Sequence, residues 1–447
     1  MLVLRLHGGF KDFATKEASM LLKRKFYSKD MEQSFVPLDE MHILLKAACL
    51  RPLAEYSSID YNTESEKICS NGNILYDASL LVIKRSASVV SAGVLIAQKK
   101  DYKKLLEYIS SPEIEDALKE HLKDVAEKVS SFSCEIHGNK EILQEIRTRH
   151  ALETLGNKIR SNLPALRVNL DNPEIKFNII VNAPPYSSFI YVAFAWQEAA
   201  FFEERTCAKR PFSLPISLHP RAARLLINLS GATEDDIVVD PFCGTGGILL
   251  EAAVLGLKSI GADYNNEMIE GTKKNLTHFG IKTRSFEDGF PETTDRESNK
   301  RRDKLEQTED TAAKLQKEYE EVYLARWDAR SFVSMLIQRG ILPSNKQNAD
   351  GRRIFVVTDP PYGRSSSTMK ANIIELYSSF SRELDKFFRL GGAGAAVMVH
   401  DPDLIENMPF FNISWIKGWK VHRSLVRFFL VLEPSSPPSM RNRDKTI

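Results

Sequence analysis

The sequence has 447 residues, 43% hydrophobic and 27% charged, with 61 basic and 59 acidic side chains and a net charge of +2. That balance fits a soluble globular protein of roughly two to four domains. It excludes a polybasic chain, but leaves room for a local basic face, since only charge facing phosphates matters for nucleic-acid binding.

No apolar run reaches the roughly eighteen residues of a membrane-crossing helix, so no membrane association is expected. "MLVLRLHGGF" is too short and interrupted for a secretory signal and reads as a first strand. The five cysteines, Cys49, Cys69, Cys134, Cys207 and Cys243, are scattered without a CxxC pair. Neither a metal site nor a disulfide framework is indicated, and a cytoplasmic location is expected.

In chain order, residues 1–55 read as a small α+β unit: the strand "LVLRLHG", the helix "FATKEASMLLKRKF" and a second helix "DEMHILLKAACLRPL". Residues 56–182 read as a second α+β unit. "ILYDASLLVIKRSA" contains a strand, and "ASVVSAGVLIAQ" suits strand or helix. "SPEIEDALKEHLKDVAEKV" is an amphipathic helix with Ser111 as cap and Pro112 in its first turn. "SFSCEIHGNK" is a strand and "NKEILQEIRTRHALETLGNKIRSN" a helix. "ALRVNLDNPEIKFNIIVN" is a strand, a turn at Asp171–Pro173 and a strand.

Residues 183–215 carry Pro184, Pro185, Pro211 and Pro215 and read as a linker. From 216 to 435 strands and helices alternate, the pattern of a doubly wound α/β sheet. The domain ends on a pair of strands within "WIKGWKVHRSLVRFFLVLE", and 436–447 is a tail. Residues 292–321 interrupt it with seventeen charged residues in thirty. Such a segment buries little apolar surface and reads as a solvated or disordered insertion. Its basic cluster, Arg301, Arg302 and Lys304, is mainly a solvated face, with RNA contact as the alternative.

Two motifs carry chemistry. In "VVDPFCGTGGILLEA", Asp240 ends a strand, then come Phe242, Gly244, Gly246 and Gly247, then a helix. The glycines let the chain turn tightly and a ligand approach the main chain. The helix start favours a negative group. Alone, this turn suits NAD or another nucleotide equally. Asp263 closes the next strand, where an acid can accept ribose hydroxyls of an adenosine. Asp328, followed by Ala329, is a candidate acceptor for an adenine amino group, with Asp288 as competitor.

The second motif is "TDPPYG" after the strand "IFVV". An exocyclic amino nitrogen is a poor nucleophile, because its lone pair is delocalised into the base. Accepting both its N–H bonds frees that pair for in-line methyl transfer. Asp359 offers a carboxylate, Pro360 a carbonyl in a fixed direction, and Tyr362 a ring for stacking an extruded base. His219 and the His422–Arg423 pair read as structural.

"DPFCGTGG", "TDPPYGRSS" and "VHRSLVR", with "RPFSLPISLHPRAARLLINLS" and "LRVNLDNPEIKFNIIV", resemble the THUMP-domain RNA methyltransferases. The likeness is to the tRNA (guanine-10, N2) methyltransferases of archaeal type. It implies an N-terminal ferredoxin-like domain in 1–55, a THUMP RNA-binding domain in 56–182, and a Rossmann-like S-adenosylmethionine-dependent methyltransferase domain. The implied reaction places one or two methyl groups on N2 of guanosine 10 in tRNA. By this resemblance Asp240, Gly244, Gly246, Gly247 and Asp263 hold the cofactor, and Asp359, Pro360 and Tyr362 are catalytic. Arg364 would meet phosphate or base. A monomer is expected; some lineages use a small zinc-binding activator subunit. The family's terminal motif often has a threonine where Val426 stands here. The DPPY logic alone also serves guanosine 6 of tRNA, ribosomal RNA or a DNA amino group. A non-catalytic RNA-binding protein is the rival from another class.

Overall fold

Two eight-stranded sheets organise the chain, one in each of two units, Met1–Phe201 and Phe202–Ile447. The computed structural model describes residues 1–23, 26–27, 31–45, 51–52, 72–215, 217–288, 320–344, 353–361, 367–401, 403–406, 412–422 and 425–434.

In the first unit the strands are β1 (Leu2–Leu6), β2 (Phe26–Tyr27), β3 (Phe35–Pro37), β4 (His42–Leu45), β5 (Arg51–Pro52), β6 (Val89–Lys99), β7 (Ser131–Gly138), β8 (Arg167–Val168), β9 (Ile175–Val181) and β10 (Ser188–Trp196). The sheet runs β3-β4-β1-β6-β10-β9-β7-β8, with β2 and β5 paired separately. Leu4, Val94, Ile96, Ile179 and Ile190 meet Ala18, Val82, Leu118 and Leu155 of the covering helices. Their neighbours Val3, Leu95, Ile180 and Phe189 pack on the opposite face. This period of two leaves the central strands apolar on both sides.

Several expectations are corrected here. Strands from before residue 55 and from 89 onward share one sheet, so residue 55 is not a boundary between sheets. His42–Leu45 is a strand, not part of a helix, because it pairs antiparallel with β1. Gly72–Arg85 is a helix, its inward positions Leu75, Ala78, Val82 and Ile83 at helical spacing. A further helix spans Tyr102–Ser110, capped by the Asp101 side chain, which accepts the Lys104 N–H. Ser111 ends that helix rather than starting the next, which runs Glu113–Ala126 behind Pro112. The helix expected over 139–162 is two, Lys140–Glu145 and Thr148–Asn162.

The linker expected over 183–215 is also corrected. β10 fills the middle of the first sheet, paired with β6 and β9. Residues 202–215 belong to the second unit. There the Asn275 side chain accepts the Phe212 N–H at 2.9 Å and donates to its carbonyl at 2.7 Å.

The second unit contains β11 (Ile237–Asp240), β12 (Lys258–Asp263), β13 (Thr283–Ser285), β14 (Val322–Arg326), β15 (Ile354–Thr358), β16 (Gly394–Val399), β17 (Asn412–His422) and β18 (Leu425–Glu433). Their order is β13-β14-β12-β11-β15-β16-β18-β17. The first six are parallel, and β18 runs antiparallel to β16 and β17. This is the doubly wound sheet with a closing strand pair that the sequence pattern implies. Strand order reverses between β11 and β15, so a crevice opens at their carboxyl ends. Most of the charged insertion, 289–319, lies outside the described residues. Among the described residues no helix is long and apolar enough to cross a membrane.

Gly271 ties the Phe212 segment to the sheet-covering helix Asn266–His278. A Cβ there would lie 2.1 Å from the Phe212 ring. Gly271→Ala is expected to cost about 1–3 kcal/mol by overpacking, read as a lower unfolding temperature.

Candidate active site

A cavity of about 500 Å³ opens where β11, β12, β14 and β15 end. Asp240, Phe242, Gly244, Gly247, Asp263, Asp328, Ala329 and Asp359 all line it, so eight of the residues singled out in the sequence converge. Gly246, Pro360 and Asp288 are not in its wall. Tyr362 and Arg364 lie outside the described residues.

Asp240 is buried at the end of β11. Its Oδ1 accepts the Thr358 hydroxyl at 2.6 Å and the Phe242 N–H at 3.2 Å. Burial pushes its pKa up to about 7, against the pull of those two donors and with the neighbouring Asp359 and Asp263 adding to the rise. The acid thus ties the strand ends of β11 and β15 together beneath the cavity.

The turn that follows is built on glycine where glycine is needed. Gly244 and Gly246 have φ of +51° and +77°, a region that other residues rarely adopt. A Cβ on Gly246 would sit 2.7 Å from Thr272 Cγ2, so this glycine serves helix packing rather than the cavity wall. Asp263 Oδ2 accepts the Gly244 N–H at 3.0 Å, and its Oδ1 accepts the Asn265 N–H at 2.9 Å. Burial raises its pKa despite both bonds. The carboxylate braces the glycine turn from the next strand, and lone pairs remain for a diol.

Asp328 caps the turn Ala329–Ser331 by accepting the Arg330 N–H. The Arg330 side chain also pairs with it, at 2.5 Å, and that bond holds its carboxyl below the usual range. Of the two candidates at the adenine end, the cavity takes Asp328.

Asp359 stands directly after β15. Burial pushes its pKa up to about 6, and Arg427 pulls the other way. Arg427 comes from β18, is 6% exposed, and approaches Asp359 Oδ2 with Nη1 at 3.4 Å. That guanidinium also lies 3.7 Å from Met398 Sδ. An ion partner inside so apolar a wall favours the charged carboxylate.

Sequence reasoning missed Arg427, which sits in the quoted "VHRSLVR" but 68 residues from its partner. It also missed Leu214, Ser217 and Leu218, wall residues inside or just beyond the expected linker. Ser217 Oγ lies 3.1 Å from Thr245 Oγ1, which joins that segment to the glycine turn. Tyr264, 69% exposed beside Asp263, is another wall residue. An exposed ring directly after the ribose-type acid was a usable signal.

Residues 207–289 and 337–428 match the family described as UPF0020, RMKL-like methyltransferase domain. The second unit is an RMKL-like methyltransferase domain. Over 340 residues the chain is 28% identical to the tRNA (guanine(10)-N2)-dimethyltransferase of Methanothermobacter thermautotrophicus, 76% of this chain and 83% of that protein. It is 29% identical over 272 residues to the enzyme of the same name from Pyrococcus abyssi, 60% of this chain and 64% of that one. Among solved structures, TrmN from Thermus thermophilus aligns over 97% of this chain and 99% of its own, with 16% identity and a TM-score of 0.42.

The methyltransferase domain's wall fits S-adenosylmethionine. The glycine turn and helix start suit its amino-acid end, Asp263 a ribose, and Asp328 an adenine amino group.

Proposed function

We propose that this protein transfers methyl groups from S-adenosylmethionine to the exocyclic N2 of guanosine 10 in tRNA. The observation that carries the reading is the position of Asp359. It stands at the strand-order reversal, in one cavity with the glycine turn and Asp263. The two guanine-10 methyltransferases to which the chain is similar support the choice of substrate.

The donor supplies an electrophilic methyl group on a sulfonium. The chain's own residues do the rest. Asp359 accepts an N–H of the target amino group through the oxygen that Arg427 does not engage. The Pro360 carbonyl accepts the second N–H, and Tyr362 holds the extruded base by stacking. Together they bring the nitrogen lone pair out of conjugation. The proton lost by the methylated nitrogen passes to Asp359, whose pKa of about 6 suits that task. The first unit serves as the tRNA-binding, THUMP-bearing part.

The test is methyl transfer from labelled S-adenosylmethionine to unmodified tRNA transcripts carrying guanosine or adenosine at position 10. Label in N2-methylguanosine or its dimethyl form, with the guanosine transcript only, is the expected outcome. Equal labelling of both transcripts would move the target elsewhere, with guanosine 6 the next position to examine.

A further inference from the structure

The strand β17, "NISWIKGWKVH", carries Lys417 and Lys420 and no acidic residue. It is the last strand of the second sheet, so among the described residues one of its long sides has no neighbouring strand. Ile416 and Val421 are 45% and 38% exposed, and Val426, which stands opposite Lys420, is 39% exposed. Lys417 and Lys420 are exposed as well, and among the described residues neither side chain has a carboxylate partner. The other edge of the sheet differs: beside β13, Arg284 Nε lies 2.7 Å from Glu321 Oε2. Cations without counter-ions on a strand without acids make this edge a local positive field in a chain of almost balanced charge.

The direction of β17 is the second observation. It is antiparallel to β18, which is antiparallel to β16, so it runs the same way as the parallel strands. Its Lys420 end therefore lies at the end of the sheet where the cavity opens. Trp419 stands opposite Arg427, the counter-ion of Asp359, and its ring lies 6.2 Å from that of Phe429. Lys417, opposite Phe429, shares that face of the sheet, whereas Lys420 belongs to the other. The two lysines thus flank the edge, one on each face. Neighbouring strands lie about 4.8 Å apart, so three spacings, roughly 14 Å, separate β17 from β15, the strand that leads into Asp359. RNA that delivers a nucleotide to Asp359 lies against this end of the sheet. Its phosphates are the anions that point charges on flexible stems suit.

We propose that the carboxyl half of β17 is an RNA-docking surface, with Lys417 and Lys420 holding backbone phosphates beside the target nucleotide. The inference rests on the reading of this chain as an RNA methyltransferase. It gives the catalytic unit an RNA contact of its own, apart from the first unit. Lysines also guard edge strands against pairing with another chain. That role alone would leave RNA affinity untouched, and the experiment separates the two.

The experiment is equilibrium binding of the full chain, saturated with S-adenosylhomocysteine, to the unmodified tRNA transcript carrying guanosine 10, over a series of salt concentrations. The double variant Lys417→Gln, Lys420→Gln is expected to weaken binding about tenfold at 0.1 M salt. The slope of log affinity against log salt should become shallower by about 1.5, as for two lost phosphate contacts. S-adenosylhomocysteine affinity should stay within twofold, which shows that the fold is kept. Unchanged tRNA affinity and slope would overturn the proposal. So would a variant that binds tRNA normally but self-associates in sedimentation, since the lysines would then only guard the edge. Should the double variant lose S-adenosylhomocysteine binding, the single variants decide. Each is expected to flatten the slope by about 0.8 with S-adenosylhomocysteine still bound, and an unaltered slope in both refutes the proposal. If the unaltered protein does not bind the transcript, the RNA-substrate reading fails and this inference falls with it.

Discussion

Asp359→Asn is expected to lower methyl transfer at least a hundredfold, with S-adenosylhomocysteine affinity changed only a few-fold. The amide is close in shape, so the wall is preserved, but it is a weaker acceptor and takes no proton. The unaltered enzyme should show an acid limb near pH 6, where the Asp359 carboxyl gains its proton, becomes a weaker acceptor and can no longer take the proton of the methylated nitrogen. Arg427 supplies the opposing pull on that carboxyl. Arg427→Met should therefore move the acid limb to higher pH, whereas a purely structural loss would lower the rate at every pH alike. Single-turnover rates across pH 5 to 9, with donor saturating, make the measurement. An unchanged profile in the methionine variant would remove Arg427 from the account.

The second large effect concerns stability, and its sign is opposite to intuition. Asp240 binds its proton more tightly in the folded protein than in the unfolded chain, since its pKa rises from 3.8 to about 7. The resulting stabilisation is full below the unfolded value and is lost as pH climbs through about 7. Above that, the fold carries a buried charge whose cost burial sets and the Thr358 and Phe242 donors reduce. Asp240→Asn keeps an oxygen for both donors and removes the charge. It should nearly match the unaltered protein at pH 4 and exceed it at pH 8 by about 4 kcal/mol, or roughly 8–16 °C in unfolding temperature. Thermal melts at the two pH values test this; a gain at pH 4 as large as at pH 8 would refute the charge as its cause. Activity should fall at the same time, since the residue lines the donor cavity.

The glycine turn, Asp263 and Asp359 were legible because each combines a rigid local demand with a strand end. Positive φ at Gly244 and Gly246 is a constraint written in residue type. β10 was hidden for a different reason. "SFIYVAFAW" is apolar without alternation, because both faces are buried, and it follows two prolines. Continuous apolarity next to Pro184 and Pro185 looks like punctuation, although it is the mark of a central strand. The helix Gly72–Arg85 did carry its signal, in the inward set Leu75, Ala78, Val82 and Ile83, but its β-branched residues masked the period. Arg427 could not be read at all. Its meaning lies in a contact with a residue distant in sequence, Asp359.

The position of β18 between β16 and β17 has a consequence for how the enzyme is made. Translation supplies the glycine turn, Asp263 and Asp359 first. The cation that keeps Asp359 charged arrives only with Arg427, and the strand bearing it must insert beside one already in place. A nascent chain halted before residue 425 therefore holds much of the donor pocket but an acid with no counter-ion. Such a fragment would lack the counter-ion of Asp359, so catalytic competence is expected only once β18 has joined the sheet.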